Sequence, residues 1–466
     1  MKIEHLVWLR NDLRVLDNPA LYHASLQGNV AVLFTLTQAQ WQKHNESDAK
    51  TGLRLGLMEN LATKLAQLGI PVHFIVVDYF TELAEEISKL CKQLGVQGFW
   101  FNQELALDEA NRDKSVQQAL VKHNITCYPQ MADLIVAQAV LSQQNTPFKV
   151  FTPFFKRWLS LLSQQSPTPL PAPTQQGNAL SVKPIPKLAN YTFRDDLWPA
   201  DLTIAQQKLW QFCHHKERHY DKERDFPALP ATSTLSPYLA LGALGPRQCL
   251  EAIHHICGRE DRAWQDSTWL KELAWRDFYR QLMHHFPNLN KGLPFKPETS
   301  ALIWQDDDQS FQAWCQGNTG FPIVDAAMRQ LNQTGWMHNR LRMITASFFC
   351  KLLFADWRKG EAYFMRQLID GEFAANNGGW QWSASTGCDA APYFRVFNPT
   401  RQSESYDKNG DFIRRFVPEL AKLDSKSIHN PNSQQRKDCH YPTPIIDYKP
   451  ARLAAIAAFD NLKERA

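Results

Sequence analysis

Four short apolar runs near the start of the chain, separated by helical segments, constrain its fold more than any other feature. The runs are HLVWL at 5–9, VAVLFTLT at 30–37, VHFIVVD at 72–78 and VQGFWF at 96–101. Each is apolar without alternation, as in strands buried on both faces of a parallel sheet. Segment 51–69 carries leucines at three- and four-residue spacing, which is typical of a helix. This order predicts a doubly wound α/β domain over 1–132.

The composition changes after this region. Gln, Ser and Pro dominate from Ser163 to Ala189, as in a linker that runs over a surface, and we assign 133–200 to a linker. From residue 201 onward the pattern is helical without strand-like alternation, so 201–466 is predicted to be an all-α domain. Clear helical examples are the stretches 266–286 and 321–354. The predicted fold class is therefore α/β followed by all-α.

The charge distribution is uneven although the net charge is only +4. No acidic residue occurs between Asp325 and Asp356. The basic residues of that stretch are Arg329, Arg340, Arg342 and Lys351. Such a stretch is either one basic face of the kind that binds nucleic acid, or a chance gap in acidic residues.

Several classes of protein are disfavoured. The nine cysteines show no CxxC pair and no metal-ligand spacing, which argues against a disulfide framework and against a zinc site. The N-terminal residues are charged where a signal peptide is apolar, and no run of eighteen apolar residues occurs. We therefore expect a cytoplasmic protein without a membrane span or bound metal. The sequence implies no protein partner, and we expect a monomer.

The stretch 266–286 predicts a helix that Ser267 or Thr268 caps. One face of that helix carries, at positions i, i+3, i+4 and i+7, Glu272, Trp275, Arg276 and Tyr279. This set is either a surface ion pair with a tryptophan beneath it, or the lining of a cavity that stacks a base and bonds its edge. The second helical stretch repeats the pattern with Asn339, Arg342 and Met343.

A cluster of hydroxyl groups follows Tyr220 in the sequence TSTLS at 232–236. Its hydroxyl residues are Thr232, Ser233, Thr234 and Ser236. Hydroxyls and main-chain N–H groups at a helix start are suited to phosphate, although ordinary helix capping also explains them.

The stretch NNGGWQWSASTG at 376–387 has two adjacent glycines and two tryptophans, and we expect it to be too rich in glycine for a helix start. Glycine lets the main chain approach a flat ring closely. Asn376 offers an amide to a ring nitrogen, and Asp370 and Glu372 offer acceptors to a ring N–H or a ribose. Two further tryptophans, Trp304 and Trp357, complete a set that local helical packing does not explain.

Taken together these motifs resemble the class I cyclobutane pyrimidine dimer photolyases of enterobacterial type. The resemblance runs from WLRNDLRVLDNPAL at 8–21 to FNPTRQSESYD at 397–407 and includes TSTLSPYLA, WLKELAWRDFY, TGWMHNRLRM and DGEFAANNGGWQWSASTG. It implies a repair enzyme that flips the dimer into a pocket and splits it by light-driven electron transfer from reduced FAD. Asn376 would face N5 of the flavin. The remaining flavin-binding positions would be Tyr220, Thr232, Ser233, Thr234, Leu235, Ser236, Arg342, Asp370, Gly371 and Glu372.

The resemblance also implies roles for tryptophans and for residues that contact DNA. Trp380, Trp357 and Trp304 align with the family's electron relay. Glu272 aligns with a carboxylate that contacts the dimer bases. The other positions assigned to the damaged DNA are Arg224, Trp275, Arg276, Tyr279, Asn339, Arg340, Met343 and Trp382.

An antenna chromophore is a further implication. His44, Asp108, Glu109 and Lys291 fall at folate-site positions, although the family usually has Asn where this chain has Asp108. A second departure is Glu372, where the family usually has Asp. Methenyltetrahydrofolate is the predicted antenna, with a deazaflavin as the alternative.

Two other classes share part of this pattern. Plant and animal cryptochromes, which signal without repair, tend to carry Asp or Cys at the position of Asn376. The 6-4 photolyases show His-His where this chain has His338-Asn339. A flavoprotein that only binds DNA would leave the relay tryptophans unexplained, so repair of pyrimidine dimers is the predicted function.

Overall fold

The computed structural model describes residues 2–188 and 191–463. Ala189 and Asn190 of the predicted linker, and the last three residues of the predicted helical domain, lie outside the described residues. The chain forms two compact units: the first unit comprises residues up to 218 together with 233–287, and the second unit comprises 219–232 and the residues from 288 onward. The predicted domain boundaries at 132 and 200 stay a prediction, since the compact units divide the chain at other residues.

The first unit contains a five-stranded parallel sheet in the order β3-β2-β1-β4-β5. Its strands are β1 His5–Leu9, β2 Val30–Leu36, β3 Val72–Val76, β4 Gly98–Asn102 and β5 Thr126–Gln130. The three inner strands, β2, β1 and β4, are buried along their whole length, which accounts for their continuous apolar sequence. The edge strand β5 was not predicted, because TCYPQ contains a proline and lacks an apolar run.

Twenty α-helices connect and follow these strands within the described residues. Those of the first unit are α1 Pro19–Ser25, α2 Gln38–Lys43, α3 Asp48–Gln67, α4 Leu83–Leu94, α5 Leu107–Val121, α6 Phe151–Gln164, α7 Leu202–His215, α9 Ser236–Ala240, α10 Pro246–Arg259 and α11 Thr268–His285. Those of the second unit are α8 Tyr220–Glu223, α12 Asp308–Gln316, α13 Pro322–Thr334, α14 Asn339–Ser347, α15 Trp357–Gln367, α16 Phe373–Ala384, α17 Pro399–Tyr406, α18 Asp411–Phe416, α19 Ser433–Asp438 and α20 Tyr448–Lys463. The predicted fold class, α/β followed by mostly α, is confirmed.

The segment assigned to the linker contains the whole of α6. This helix packs on α11 within the first unit, and Trp158 of α6 donates its indole N–H to Asp277 at 2.9 Å. The same carboxylate accepts from the main-chain N–H groups of Ile135 and Val136. A buried aspartate of α11 therefore anchors part of the segment that composition alone presents as linker.

The stretch 376–387 is helical over most of its length, which contradicts our expectation. Glu372 caps α16, because its carboxylate accepts from the main-chain N–H groups of Ala374 and Ala375 at 3.0 and 2.9 Å. Trp380 and Gln381 are each 2% exposed, so burial of one helix face outweighs the low helix propensity of the two glycines. The helix ends at Ser385, which adopts the left-handed conformation with φ of 63°.

The predicted helix at 321–354 is interrupted. Gly335 ends α13 with φ of 69°, and α14 starts four residues later. A π-helical turn, Phe348–Leu352, then follows. Within the described part of the chain, no helix is both long and apolar enough to span a bilayer.

Candidate functional site

Helix α16 presents an accessible face that carries Asn376. Asn376 and Trp382 are half-buried and Gly379 is exposed, whereas Asn377 and Trp380 on the other face are buried. A Cβ added at Gly379 would meet no atom within 4 Å. An amide beside bare main chain and an indole is the arrangement that a flat, hydrogen-bonding ring requires, so the residues present fit an isoalloxazine ring.

Arg342 and Asp370, both predicted to hold the flavin, form an ion pair. Arg342 Nη2 lies 2.7 Å from Asp370 Oδ2, and Arg342 Nε donates to the carbonyl of Met337 at 2.8 Å. The Asp370 side chain is only 2% exposed and that of Arg342 is 26% exposed. The buried Asp370 carboxylate and the Met337 carbonyl therefore hold the guanidinium in place, and its exposed N–H groups remain available to a ligand.

Glu361 of α15 was not predicted, yet it holds two consecutive amides of α16. Asn376 Nδ2 donates to the Glu361 carbonyl at 3.0 Å, and Asn377 Nδ2 donates to Glu361 Oε1 at 2.8 Å. Burial raises the pKa of Glu361 to about 7, which outweighs the lowering effects of Asn377 and Arg358. Pairing across helices has no local sequence signal, so sequence reasoning could not find this residue.

Two of the three predicted relay tryptophans are buried in the second unit. Trp357 on α15 is 1% exposed and Trp380 on α16 is 2% exposed. The Trp380 ring packs directly on Gly360, where an added Cβ would come within 2.2 Å of it. Trp304 is half-buried and packs on Phe354, with ring centroids 5.0 Å apart. Two buried indoles and a more accessible one fit a path from interior to surface.

Trp314 is a further buried tryptophan that sequence reasoning did not single out. It is 0% exposed, and its ring lies edge-on to that of Trp380 with centroids 6.0 Å apart. Trp314 is therefore a suitable comparison for the predicted relay, because it is buried beside Trp380 but was not assigned to the relay.

The hydroxyl cluster lies just before α9, as predicted, but α9 has only five residues and no side-chain cap. Ser233 Oγ accepts from the main-chain N–H of Leu235 at 3.4 Å. So short a helix provides little dipole for an anion. Thr234 adopts a positive φ of 51°, which is uncommon for a β-branched residue and is found where surrounding structure enforces it. Thr232 belongs to the second unit, whose segment 219–232 also carries Tyr220 and Arg224, with the Arg224 guanidinium 5.7 Å from the Tyr220 ring.

On α11, Ser267 caps the helix as predicted, accepting from Leu270 N–H at 3.3 Å. Trp275 stacks on Phe151 of α6 with centroids 3.6 Å apart and an interplanar angle of 6°. Tyr279 stacks near the same indole at 5.5 Å. Trp275 is therefore a half-buried aromatic platform that stacks on Phe151.

Arg276 contacts an acidic residue that does not belong to α11. Arg276 bonds to the carboxylate and the carbonyl of Asp133, and Arg280 lies 2.7 Å from the same carboxylate. Burial alone would raise the pKa of Asp133, but the two guanidinium groups lower it below its ordinary value. Glu272 is half-buried on the same helix face.

The start of α14 holds the other DNA-assigned residues. Asn339 is exposed, and Arg340 and Met343 are half-buried. Burial lowers the pKa of His338 to about 4, so its neutral ring can cap the helix by accepting from Arg340 N–H at 3.2 Å. Arg340 Nη2 lies 2.7 Å from Asp225, and its guanidinium lies 4.4 Å from the Tyr406 ring.

The acid-free stretch does not form an uncompensated basic face. Acidic residues from other parts of the second unit pair with its arginines: Arg329 with Glu419, Arg340 with Asp225 and Arg342 with Asp370. Lys351 is 1% exposed, and burial lowers its pKa to about 8. Acidic residues that are distant in sequence therefore neutralise the arginines of this stretch in the folded chain.

The first unit contains a small cleft at the carboxyl ends of β1 and β2. Arg10 and Asn11 after β1, Thr35 and Thr37 at the end of β2, and Arg54 of α3 contribute to its lining. This is where a doubly wound sheet places its ligands. The other lining residues are Trp41, His44, Glu46, Met58, Phe80, Glu109 and Arg112.

Three predicted antenna residues meet at the edge of this cleft. His44 Nε2 lies 3.1 Å from Asp108 Oδ2, and His44 Nδ1 lies 3.4 Å from Glu109 Oε1. Burial lowers the pKa of His44, but the hydrogen bonds and charges of the two carboxylates outweigh it, so the pKa is raised. Lys291 is an exposed residue of the second unit.

Comparison with known proteins places these sites in a family. Residues 5–174 match the family described as DNA photolyase, and residues 269–461 match the FAD binding domain of DNA photolyase. The chain is 44% identical to proteins named deoxyribodipyrimidine photo-lyase from Salmonella typhimurium and from Escherichia coli, over 99% of each chain. The chain belongs to the DNA photolyase family. The predicted resemblance, the FAD cofactor and light-driven DNA repair are thereby confirmed.

A solved cryptochrome from Synechocystis shares the fold, with a TM-score of 0.86 and 26% identity over 98% of this chain and 100% of its own. The fold therefore does not by itself separate photolyases from cryptochromes. The identity to named photolyases over the full chain does so.

Proposed function

We propose that this photolyase repairs cyclobutane pyrimidine dimers by flipping the dimer into a pocket and splitting it under blue light. The observation that carries this proposal is the 44% identity, over 99% of each chain, to proteins named deoxyribodipyrimidine photo-lyase. A dimer is poorly stacked, so extruding it costs only a few kcal/mol and less than extruding a sound pair.

The second unit contributes most of the proposed flavin-binding residues. Asn376 and the bare main chain at Gly379 would hold the ring, and the Arg342–Asp370 pair would supply a cation and an acceptor. Tyr220, Thr232, Gly371 and Glu372 belong to the same proposed set. In the first unit, the hydroxyl and N–H groups of 233–236 are suited to the cofactor's phosphates. When bound, FAD supplies the light-driven electron that splits the dimer.

The proposed residues for damaged DNA divide between the units. In the first unit, the rigid Trp275 platform stacks on an extruded base, Glu272 bonds its edge, and Arg276 and Tyr279 border the platform. In the second unit, Trp382 stacks on an extruded base. Arg224 and a set of residues at the start of α14 contact the DNA backbone and position it. That set consists of Asn339, Arg340 and Met343.

The proposed relay runs from Trp380 through Trp357 to Trp304. It lies in the second unit, and Gly360 allows α15 and α16 to approach closely at Trp380. Its role is to bring the oxidised flavin to its active state and not to take part in the repair step.

For the antenna we propose methenyltetrahydrofolate, bound by His44, Asp108 and Glu109 with Lys291. Carboxylates suit the amino and ring N–H donors of a pterin, and a histidine with a raised pKa suits its anionic tail. A deazaflavin is the alternative occupant. In this proposal 1–132 forms the antenna domain, 133–200 the linker and 201–466 the catalytic domain.

We further propose a monomer of the cytoplasm, in keeping with nine cysteines that lack disulfide spacing. The deciding experiment measures dark binding to a dimer-containing oligonucleotide and to the same oligonucleotide without the dimer, followed by illumination with blue light. We expect selective dark binding and light-dependent loss of the dimer. Selective binding without repair would instead indicate a signalling cryptochrome.

A further inference from the structure

Two of the three arginines assigned to DNA, Arg276 in the first unit and Arg340 in the second, share one feature: each pairs with a carboxylate that is more exposed than the guanidinium. The Asp225 side chain is 38% exposed and its partner Arg340 is 17% exposed. Asp133 is 24% exposed and its partner Arg276 is 14% exposed. A phosphate that approaches either arginine meets the carboxylate as well, and like charges repel.

The flavin-assigned pair has the opposite order. The Asp370 side chain is 2% exposed and the Arg342 side chain is 26% exposed. The buried Asp370 carboxylate thus holds the Arg342 guanidinium, and the exposed N–H groups of Arg342 remain available to a ligand. The position of the acid relative to the arginine therefore distinguishes a supporting carboxylate from a competing one.

Arg340 is also held by contacts other than the one with Asp225. Its guanidinium lies 4.4 Å from the Tyr406 ring, and its main-chain N–H is bonded to His338. Its Nε is buried and has no hydrogen-bond partner among the described residues. Neutralising Asp225 would leave the cation in place and remove only its anionic neighbour.

We propose that Asp225 competes with DNA phosphate for Arg340 and thereby sets a low sequence-independent affinity for DNA. The inference rests on the proposed DNA contact of Arg340. Undamaged sites greatly outnumber lesions, so weak binding to undamaged DNA keeps the enzyme available for lesions. Asp225 acts on the reaction only through Arg340 and is not a catalytic residue.

The test is dark binding of the full chain to dimer-containing and undamaged oligonucleotides across a range of NaCl concentrations. Asp225→Asn should tighten binding to both by roughly two- to fivefold and steepen the salt dependence by about one phosphate contact. Asp225→Glu keeps the charge and should behave as the unmodified chain. Arg340→Ala should weaken both, and in that background Asp225→Asn should have no effect. Glu419→Gln, which removes the carboxylate partner of Arg329, is the matched control and should change neither.

Weaker binding by Asp225→Asn would overturn the inference, because Asp225 would then position Arg340. If Asp225→Asn tightens DNA binding in the Arg340→Ala background as well, the inference is also overturned, because the change in net charge alone would then explain the tighter binding. If Arg340→Ala leaves binding unchanged, the proposed DNA contact fails and the inference fails with it. If Arg340→Ala weakens binding and Asp225→Asn changes nothing, the inference alone fails. Flavin content and thermal melting check folding, and Asp225→Ser provides a second neutral variant.

Discussion

The side-chain amide of Asn376 donates a hydrogen bond to the main-chain carbonyl of Glu361 at 3.0 Å, while the Glu361 carboxylate accepts from the next residue, Asn377. One residue of α15 thus fixes two consecutive amides of α16. The hydrogen-bond partner of the Glu361 carboxyl group, Asn377, is neutral. The charge of Arg358 lowers the pKa of Glu361, and the charge of Asp356 raises it. The orientation of Asn376 therefore depends on a group whose own charge is costly to bury.

A pH dependence of stability follows from that burial. The pKa of Glu361 is raised from 4.5 to about 7 in the folded state. The folded state therefore binds the proton more tightly, and stability falls as pH rises from about 4.5 to about 7 and stays lower above it. The contribution is on the order of 3 kcal/mol. Glu361→Gln should remove this fall, measured by urea unfolding at pH 5 and pH 8. Glu419→Gln, at a more exposed carboxylate, should leave it in place; an equal fall in the Glu361→Gln chain would contradict the prediction.

The relay can be tested against its competitor. Trp304→Phe or Trp357→Phe should abolish or greatly slow light-driven reduction of the oxidised flavin, followed by absorbance, because phenylalanine is much harder to oxidise. Repair by chemically pre-reduced enzyme should survive, since the relay is separate from the repair step. Trp314→Phe is the control, as Trp314 lies 6.0 Å from Trp380 but outside the predicted relay. If only Trp314→Phe abolishes photoreduction, the electron passes through Trp314 and the assignment of Trp357 and Trp304 to the relay is wrong.

The antenna prediction rests on the contacts of His44 with Asp108 and Glu109. Protein made with folate present should show near-ultraviolet absorbance beyond that of FAD. Glu109→Ala should lose that absorbance and keep dimer repair, because the antenna only collects light. Glu85→Gln, at an exposed ion pair of the same unit, should keep both. Extraction of a deazaflavin would overturn the folate assignment without affecting the enzyme.

The sequence predicts what depends on local patterns. Strands β1 to β4 follow from apolar runs, and the cap at Ser267 follows from residue type next to a helical pattern. The helix at 373–384 was missed because burial of Trp380 and Gln381, and not intrinsic propensity, stabilises it. The same holds for the charges near Arg340: Asp225 is distant in sequence, so only the fold reveals the pair.

The aromatic platform on α11 provides the sharpest test of the dimer pocket. Trp275 is held flat by Phe151 at 3.6 Å, so stacking a base on it requires little further ordering. Trp275→Ala should weaken dark binding to dimer-containing DNA by about 1–3 kcal/mol per base lost from the stack. Phe151→Leu removes the ring that stacks on Trp275 and keeps the Trp275 indole. It is therefore the control for looser packing between α6 and α11.

Glu272 lies one helical turn before this platform, and its role should differ from that of Trp275. Glu272→Ala should lower the repair yield per photon while flavin content stays unchanged, because the carboxylate bonds the edge of the extruded bases and holds them for electron transfer. Glu272→Gln keeps an acceptor and should retain part of the yield. The measurements are dark binding and repair under blue light with one dimer-containing oligonucleotide. If Glu272→Ala and Trp275→Ala leave both quantities unchanged, this face of α11 does not line the dimer pocket.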